Sequence, residues 1–321
     1  MVRTRTTRDL LGRKDKEVNF LITGGCGFIG TNLAAALFAA GHNVRILDRD
    51  PKNRGIYGVV QIDIRDELVY KLCEGVDVII HLAAETGVQP SVEDPRKDME
   101  VNVSGTFNLL QAAALHRVKR FIFASSGTVL GRASPPFEEK MMTRPTSPYG
   151  ASKLAGEAYC SAFYHSYGLE TVVLRFSNIY GPYAWHKSNL FVEFIRSVFQ
   201  DKPLHIYGDG RQTRDFLYVK DLVNAIILAC TVPDIGGQVF QIASAVETSV
   251  MDLLAIMNCI SMDEIGKGVQ YTFEPPRLGE PKRSYAYNSY AKLMLGWDLE
   301  YDLTTGMTET FNWYVRNYKN E

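Results

Sequence analysis

The 321-residue chain has no apolar run approaching the roughly 20 residues needed to cross a bilayer, so no membrane partner is expected. It has almost no net charge: 35 basic against 36 acidic residues give −1. That balance makes no electrostatic case for nucleic acid or an anionic lipid surface as a partner. Cysteine is sparse. The five present, Cys26, Cys73, Cys160, Cys230 and Cys259, are odd in number, scattered, and without C-x-x-C spacing. They read as reduced thiols of a cytoplasmic protein rather than a disulfide framework or a zinc site, and no metal is expected. There is no internal repeat and no low-complexity linker. The first 17 residues carry Arg3, Arg5, Arg8, Arg13, Lys14 and Lys16 beside Asp9, Asp15 and Glu17, but no apolar h-region. A secretory signal is therefore not expected, and the simplest reading is a solvated or loosely docked basic extension.

What is there is an ordinary globular composition, 46% hydrophobic and 22% charged, in a chain long enough for one large domain or two interlocked ones. From Val18 short apolar runs alternate with helical patterns. Val18–Thr23 ends in glycines, and Phe28–Ala40 is helical. Val44–Leu47 ends on Asp48, Val59–Ile62 on Asp63, and Val76–Leu82 runs through HLAA. Phe121–Ala124 ends on Ser125 and Ser126, and Val172–Arg175 on FSNIYGP. Such alternation predicts an α/β fold, a doubly wound parallel sheet with helices on both faces. The polar and glycine residues all fall at the carboxyl ends of strands, where open α/β sheets bind ligands. After about Pro182 the pattern is less regular, with a helix at Leu190–Phe199 and short strands at Leu204–Tyr207, Phe216–Val219 and Val239–Ile242. We read a basic extension over 1–17, a nucleotide-binding domain over 18–181, and a smaller mixed α/β substrate lobe over 182–321.

Gly24-x-x-Gly27-x-x-Gly30 opens a helix directly after a strand. Glycine there permits a tight turn and lets backbone N–H groups approach a pyrophosphate, which the helix N-terminus also attracts. Taken alone such a turn could be a structural corner. Eighteen residues past Gly30, however, Asp48 closes the next strand, where a carboxylate can accept ribose hydroxyls and repel a 2′-phosphate. The expected fold is Rossmann-type and the expected cofactor NAD rather than NADP, although Arg49 blurs that choice. Asp63 is a candidate acceptor for the adenine amino group; an exposed turn acid is the alternative.

Tyr149 and Lys153 lie four apart in SPYGASKLAGE, one turn apart on a predicted helix. A free tyrosine titrates near 10 and is a poor base at neutral pH. A nearby ammonium and a nicotinamide cation would favour the phenolate. Ser126, ending a neighbouring strand, could hydrogen-bond the same substrate hydroxyl. A Tyr/Lys pair without context is a surface contact, but behind a dinucleotide turn it reads as a proton-transfer device.

These motifs, with VNVSGTFNLL at 101–110, FASSGTVLG at 123–131, RFSNIYGP at 175–182 and GDGRQTRDFLYVKD at 208–221, resemble the extended short-chain dehydrogenase/reductases. Within these the chain is similar to the NAD-dependent nucleotide-sugar epimerase/dehydratase group. The resemblance implies Tyr149 as base, Lys153 as its modulator and ribose ligand, and Ser126 as a third catalytic hydroxyl. It implies NAD contacts from Gly24, Gly27, Phe28, Ile29, Asp48, Arg49, Asp63, Ile64, Leu82, Ala83, Ala84, Asn102, Tyr149, Lys153, Phe176, Asn178 and Ile179. Asn178, Asn189, Leu190, Arg214 and Arg277 match positions that hold the diphosphate and base of a UDP- or dTDP-sugar, a bidentate task suited to guanidinium. A homodimer is expected, with helices near 91–115 and 149–168 pairing as a four-helix bundle.

The shared first step would be oxidation at sugar C4, with Tyr149 removing the C4 hydroxyl proton. A 4-epimerase then returns hydride to the other face. A dehydratase eliminates water, and a decarboxylase loses carbon dioxide. Dehydratases of the 4,6 type place an Asp-Glu pair after the catalytic hydroxyl; here stand Gly127 and Thr128, the latter a candidate catalytic hydroxyl itself. Glu85, just past HLAA, is a candidate additional proton-transfer group, or else an acid that caps a helix or supports the site from behind. Leu130 replaces the family's tyrosine and makes one side of the pocket more apolar. The reading is a 4-epimerase of an NDP-hexose or NDP-hexosamine. The alternatives are a dehydratase that eliminates across C5–C6 and returns hydride to C4, and a non-catalytic sensor.

Overall fold

A computed structural model describes residues 17–51, 58–187, 189–276 and 281–318. The expected basic extension thus lies, but for Glu17, outside the described residues. The elements run β1 (Asn19–Thr23), α1 (Phe28–Ala39), β2 (Asn43–Asp48), β3 (Val59–Gln61), α2 (Leu68–Leu72) and β4 (Val78–His81). Then come α3 (Val88–Glu93), α4 (Pro95–Met99), a π-helical turn (Glu100–Ser104), α5 (Gly105–Leu115), β5 (Arg120–Ser126), a 3-10 turn (Gly127–Leu130) and α6 (Pro148–Tyr167). They continue as β6 (Glu170–Phe176), β7 (Asn178–Tyr180), α7 (Leu190–Gln200), β8 (Leu204–Tyr207), β9 (Thr213–Arg214), β10 (Phe216–Tyr218) and α8 (Val219–Thr231). The last are β11 (Val239–Ile242), β12 (Thr248–Ser249), α9 (Val250–Ile265), β13 (Tyr271–Glu274), β14 (Arg283–Ser284), α10 (Ser289–Leu295) and α11 (Leu303–Asn317).

Seven strands form one parallel sheet in the order β11-β6-β5-β4-β1-β2-β3. The chain winds outward from β1 to β3, then crosses back to place β4 on β1's other side. The carboxyl ends of β1 and β4 are therefore the topological switch point, where a doubly wound sheet opens a crevice for a ligand. Strand interiors such as Phe20–Thr23 and Val78–His81 are buried throughout, as a sheet covered on both faces requires.

The boundary read at 181/182 needs one amendment. β11, at Val239–Ile242, pairs with β6 as the outer strand of the main sheet, and α8 packs on α1 beneath it. The later chain therefore returns to complete the nucleotide-binding layer after it has laid down β7 to β10 of the smaller lobe. The mixed lobe consists of three small sheets, β7 with β10, β8 with β13, and β9 between β12 and β14.

Candidate active site

Three glycines shape the first half of the site. Gly24 has φ +68, and a Cβ there would stand 2.7 Å from Ala83 N; at Gly30 it would stand 2.4 Å from the Gly24 carbonyl oxygen. Only glycine lets β1, the turn and α1 come this close. The Cys26 N–H donates to Asp48 Oδ2 at 2.9 Å, so the carboxylate that ends β2 also ties down the turn. The chemistry of this cradle fits a dinucleotide: backbone N–H groups at a helix start, and an acid on the neighbouring strand.

Gly24, Gly27, Phe28, Ile29, Asp48, Arg49, Asp63, Ile64, Leu82, Ala83, Ala84, Tyr149, Lys153 and Phe176 all line one cleft over the switch point. Asp63 lines it while receiving Arg65 Nη2 at 2.8 Å, and this hydrogen-bonded pair holds its carboxyl below the usual range against the opposing effect of burial.

α6 starts sharply because Ser147 caps it, accepting from Gly150 N at 3.1 Å, with Pro148 in its first turn. Gly156 lets the helix lie against Phe123 of β5, which a Cβ would approach to 2.3 Å. Tyr149 and Lys153 thereby face the end of β5. Lys153 is buried, donates from Nζ to the Ala124 carbonyl at 2.9 Å, and lies 5.8 Å from the centre of the Tyr149 ring.

The protein's own groups shift both members of the pair. Burial pushes Tyr149 up to about 12, Asp98 adds to the rise, and a hydrogen bond with Ser126 pulls back. Burial likewise lowers Lys153 to about 8, opposed by Asp98, Cys160 and Glu157 and assisted by Lys187. Desolvation outweighs the lysine's attraction because both groups are out of water.

A polar layer lies behind this pair. Asn102, in the π-helical turn, donates to Asp98 Oδ1 at 3.0 Å and to Ser152 Oγ at 3.1 Å, and clasps the backbone of Glu85 through both its amide atoms. Asn102 does not line the cleft. It holds the loop after β4 against α6, so its predicted cofactor contact becomes a positioning contact. His81 sits between Thr23 and Thr106, and burial drives it down to about 3, which leaves the imidazole neutral.

Glu85 is placed otherwise than a proton-transfer group requires. Its carboxylate pairs with Arg49 and, at 3.4 Å, with Lys97. Although burial opposes them, these cations hold it below the usual carboxylate range. Thr128 stands beside Ser126, whose Oγ accepts the Thr128 N–H at 3.3 Å, and its own Oγ1 is buried with no partner among the described residues.

The residues predicted for the sugar nucleotide lie outside the cofactor cleft. Asn178 donates from Nδ2 to the Asp215 carbonyl at 3.1 Å, with Ile179 beside it on β7. Asn189 caps α7 through Val192 N at 2.9 Å, just before Leu190. Arg214 reaches the Thr213 and Pro281 carbonyls. Arg277 falls outside the described residues. Ser152, Asp98, Thr86, His186 and Lys187 entered no sequence-based expectation. Asp98, four residues before Asn102, was detectable by helical spacing. Lys187 sits in a loop with no periodicity to reveal it.

Residues 20–243 match the model of the NAD dependent epimerase/dehydratase family. The chain belongs to that family. It is an NAD-dependent nucleotide-sugar epimerase/dehydratase enzyme, and the cradle and cleft are where this family's cofactor chemistry finds matching residues. The chain is 35% identical to the UDP-glucose 4-epimerase of Mycolicibacterium smegmatis, with 92% of this chain and 97% of that protein aligned. It is 31% identical to human dTDP-D-glucose 4,6-dehydratase, over 94% of this chain and 91% of that protein. It superposes with a TM-score of 0.86 on the UDP-glucuronic acid 4-epimerase of Bacillus cereus in complex with UDP-glucuronic acid and NAD, at 30% identity, covering 94% of this chain and 100% of that one. Among the described residues no helix is long and apolar enough to cross a membrane, and no cluster of side chains could hold a metal ion.

Proposed function

We propose that this epimerase/dehydratase family member is a 4-epimerase of a UDP-hexose or UDP-hexosamine. The observation that carries the reading is the handling of acids around Ser126. Gly127 and Thr128 follow it where an eliminating enzyme needs a carboxylic acid for the departing hydroxyl, and Glu85 is neutralised by Arg49 and Lys97. With no acid at those two positions and Glu85 ion-paired, return of hydride is favoured over loss of water. The likeness to two proteins named as UDP-sugar 4-epimerases supports the same conclusion.

When bound, NAD supplies a hydride acceptor and donor and a positive charge beside the phenol. Tyr149 takes the proton of the C4 hydroxyl, and Ser126, already hydrogen-bonded to that phenol, orients the hydroxyl. Lys153, fixed on the Ala124 carbonyl, holds Tyr149's surroundings cationic. The unpartnered Thr128 hydroxyl offers a hydrogen bond to a sugar hydroxyl. The ketone then turns its other face to the site before Tyr149 gives the proton back. Asn189 and Leu190 at the start of α7, Asn178 and Arg214, with Arg277 beyond the described residues, are proposed to hold the diphosphate and base.

We also place the protein in the cytoplasm, where its five free thiols would stay reduced, and as a homodimer. Tyr159 and Tyr167 of α6, Leu115 of α5 and Met99 of α4 are exposed on adjoining helices, an apolar face suited to a second copy.

The reaction is tested by incubating purified protein with UDP- and dTDP-hexoses, N-acetylhexosamines and uronic acids in deuterated water, followed by NMR and mass spectrometry. An isomer of unchanged mass without solvent deuterium supports the epimerase. A product lighter by water or carbon dioxide overturns it.

A further inference from the structure

The chain after β7, as far as Lys187, is anchored against α7 and the C-terminal region. Arg196 of α7 bonds the Trp185 carbonyl and stacks its guanidinium 5.0 Å from the Trp185 ring. That ring packs on Tyr314 and Tyr318 of the C-terminal region, at 5.7 and 5.1 Å. A tight turn follows, with Lys187 N–H donating to the Ala184 carbonyl at 2.8 Å. It delivers the Lys187 side chain to the wall of the same cleft that Gly24, Gly27, Phe28 and Lys153 line.

There the ammonium, with three protons to donate, has one hydrogen-bond partner among the described residues, the neutral Thr86 Oγ1 at 3.0 Å. Glu85, the acid nearest in sequence to Thr86, is engaged by Arg49 and Lys97. Burial lowers the affinity of Lys187 for its proton, with Glu85 opposing, and Lys187 and Lys153 disfavour each other's charge. A largely desolvated cation with so little compensation is costly unless an anion shares the cavity. The start of α1, whose N–H groups and dipole attract anions but carry no formal charge, lines the same cleft.

We infer that Lys187 closes a diphosphate site over the glycine turn, adding the formal positive charge that the turn and helix lack. The diphosphate is that of the dinucleotide, which the glycine turn attracts, or that of the nucleotide sugar, whose reacting carbon must approach the dinucleotide. The inference rests on family membership and not on the 4-epimerase reading, and binding is measured without turnover, so a wrong reaction leaves the test intact.

The test uses protein stripped of cofactor and titrates NAD, UDP and adenosine separately by calorimetry for the parent, Lys187→Met and Lys187→Arg. A charged hydrogen bond of this kind predicts a loss of roughly ten- to a hundredfold in affinity for NAD or UDP with Met, and near-parent binding with Arg. Loss for NAD assigns the cofactor's diphosphate, and loss for UDP the substrate's. If neither changes, or if adenosine weakens equally, the inference is overturned. The melting temperature of each ligand-free variant is read alongside, and Lys187→Gln replaces the Met variant should that one fail to fold.

Discussion

Lys153 lies 5.8 Å from the centre of the Tyr149 ring, yet its ammonium is fixed on the Ala124 carbonyl at 2.9 Å. The lysine is thus anchored to the end of β5, on which Ser126 stands, and the phenol meets a cation in a set position. Burial raises the phenol and lowers the amine, each shift opposed in part by neighbouring groups.

Tyr149→Phe should abolish turnover while leaving NAD binding near the parent value, since the ring is kept and only the proton carrier is lost. Calorimetric NAD titration beside an NMR turnover assay reads both quantities. Parent-like turnover would remove Tyr149 from the mechanism.

Lys153 has a folded value of about 8, below its ordinary 10.5. Between these values the unfolded chain holds a proton that the native one does not, so this group adds stability as pH rises. Asp98, Cys160 and Glu157 oppose the shift and Lys187 enlarges it. The unfolding free energy of the cofactor-free parent, relative to Lys153→Met, should therefore climb from pH 8 toward 10.5. Denaturant melts across that window check it; a flat or falling difference contradicts the assignment.

Glu85→Gln should leave turnover within about tenfold of the parent, because loss of a true proton-transfer group costs ~10²–10⁴-fold. The ion pairs it breaks are partly exposed and worth about 0–1 kcal/mol. A fall of a thousandfold at unchanged melting temperature would restore Glu85 to the chemistry and reopen the dehydratase reading.

Asp98 accepts from Asn102 in a buried setting and faces both Tyr149 and Lys153. Asp98→Ala removes the charged acceptor of the Asn102 amide, which still reaches Ser152 and the Glu85 carbonyl, and should destabilise the fold by about 1.5–3 kcal/mol. Asp98→Asn keeps an acceptor but removes the charge that raises the phenol. The acid limb of its kcat/KM profile should move to lower pH, a readout that mere structural damage would not produce.

Gly30→Ala should cost about 1–3 kcal/mol of overpacking and abolish NAD binding, because the added methyl meets the Gly24 carbonyl oxygen at 2.4 Å. Thermal melts with and without NAD separate the two effects. A variant still stabilised by NAD would show that the turn can give way.

Much of the site was legible because its signals are local. The glycine turn, Asp48 and the Tyr149/Lys153 spacing each depend on one strand end or one helix turn, and the strands at Leu204–Tyr207 and Val239–Ile242 fall where the pattern placed them. The second of these was assigned to the wrong layer. Four residues report that they are extended but not that their partner is β6, some 65 residues earlier in the chain. Asn102 was read as ordering the site and as a cofactor contact; its amide joins Asp98, one helical turn away, to Glu85 and Ser152, which only folding brings to it.

The sequence by itself determined the fold class, the family and the one-turn spacing of Tyr149 and Lys153, since backbone geometry suffices for these. Tertiary structure alone decided the burial of that pair, the ion pairing of Glu85 with Arg49 and Lys97, and the arrival of Lys187 in the cleft. The reason is physical: desolvation and Coulomb interactions depend on what surrounds a group in space. Residues far apart in the chain supply those surroundings.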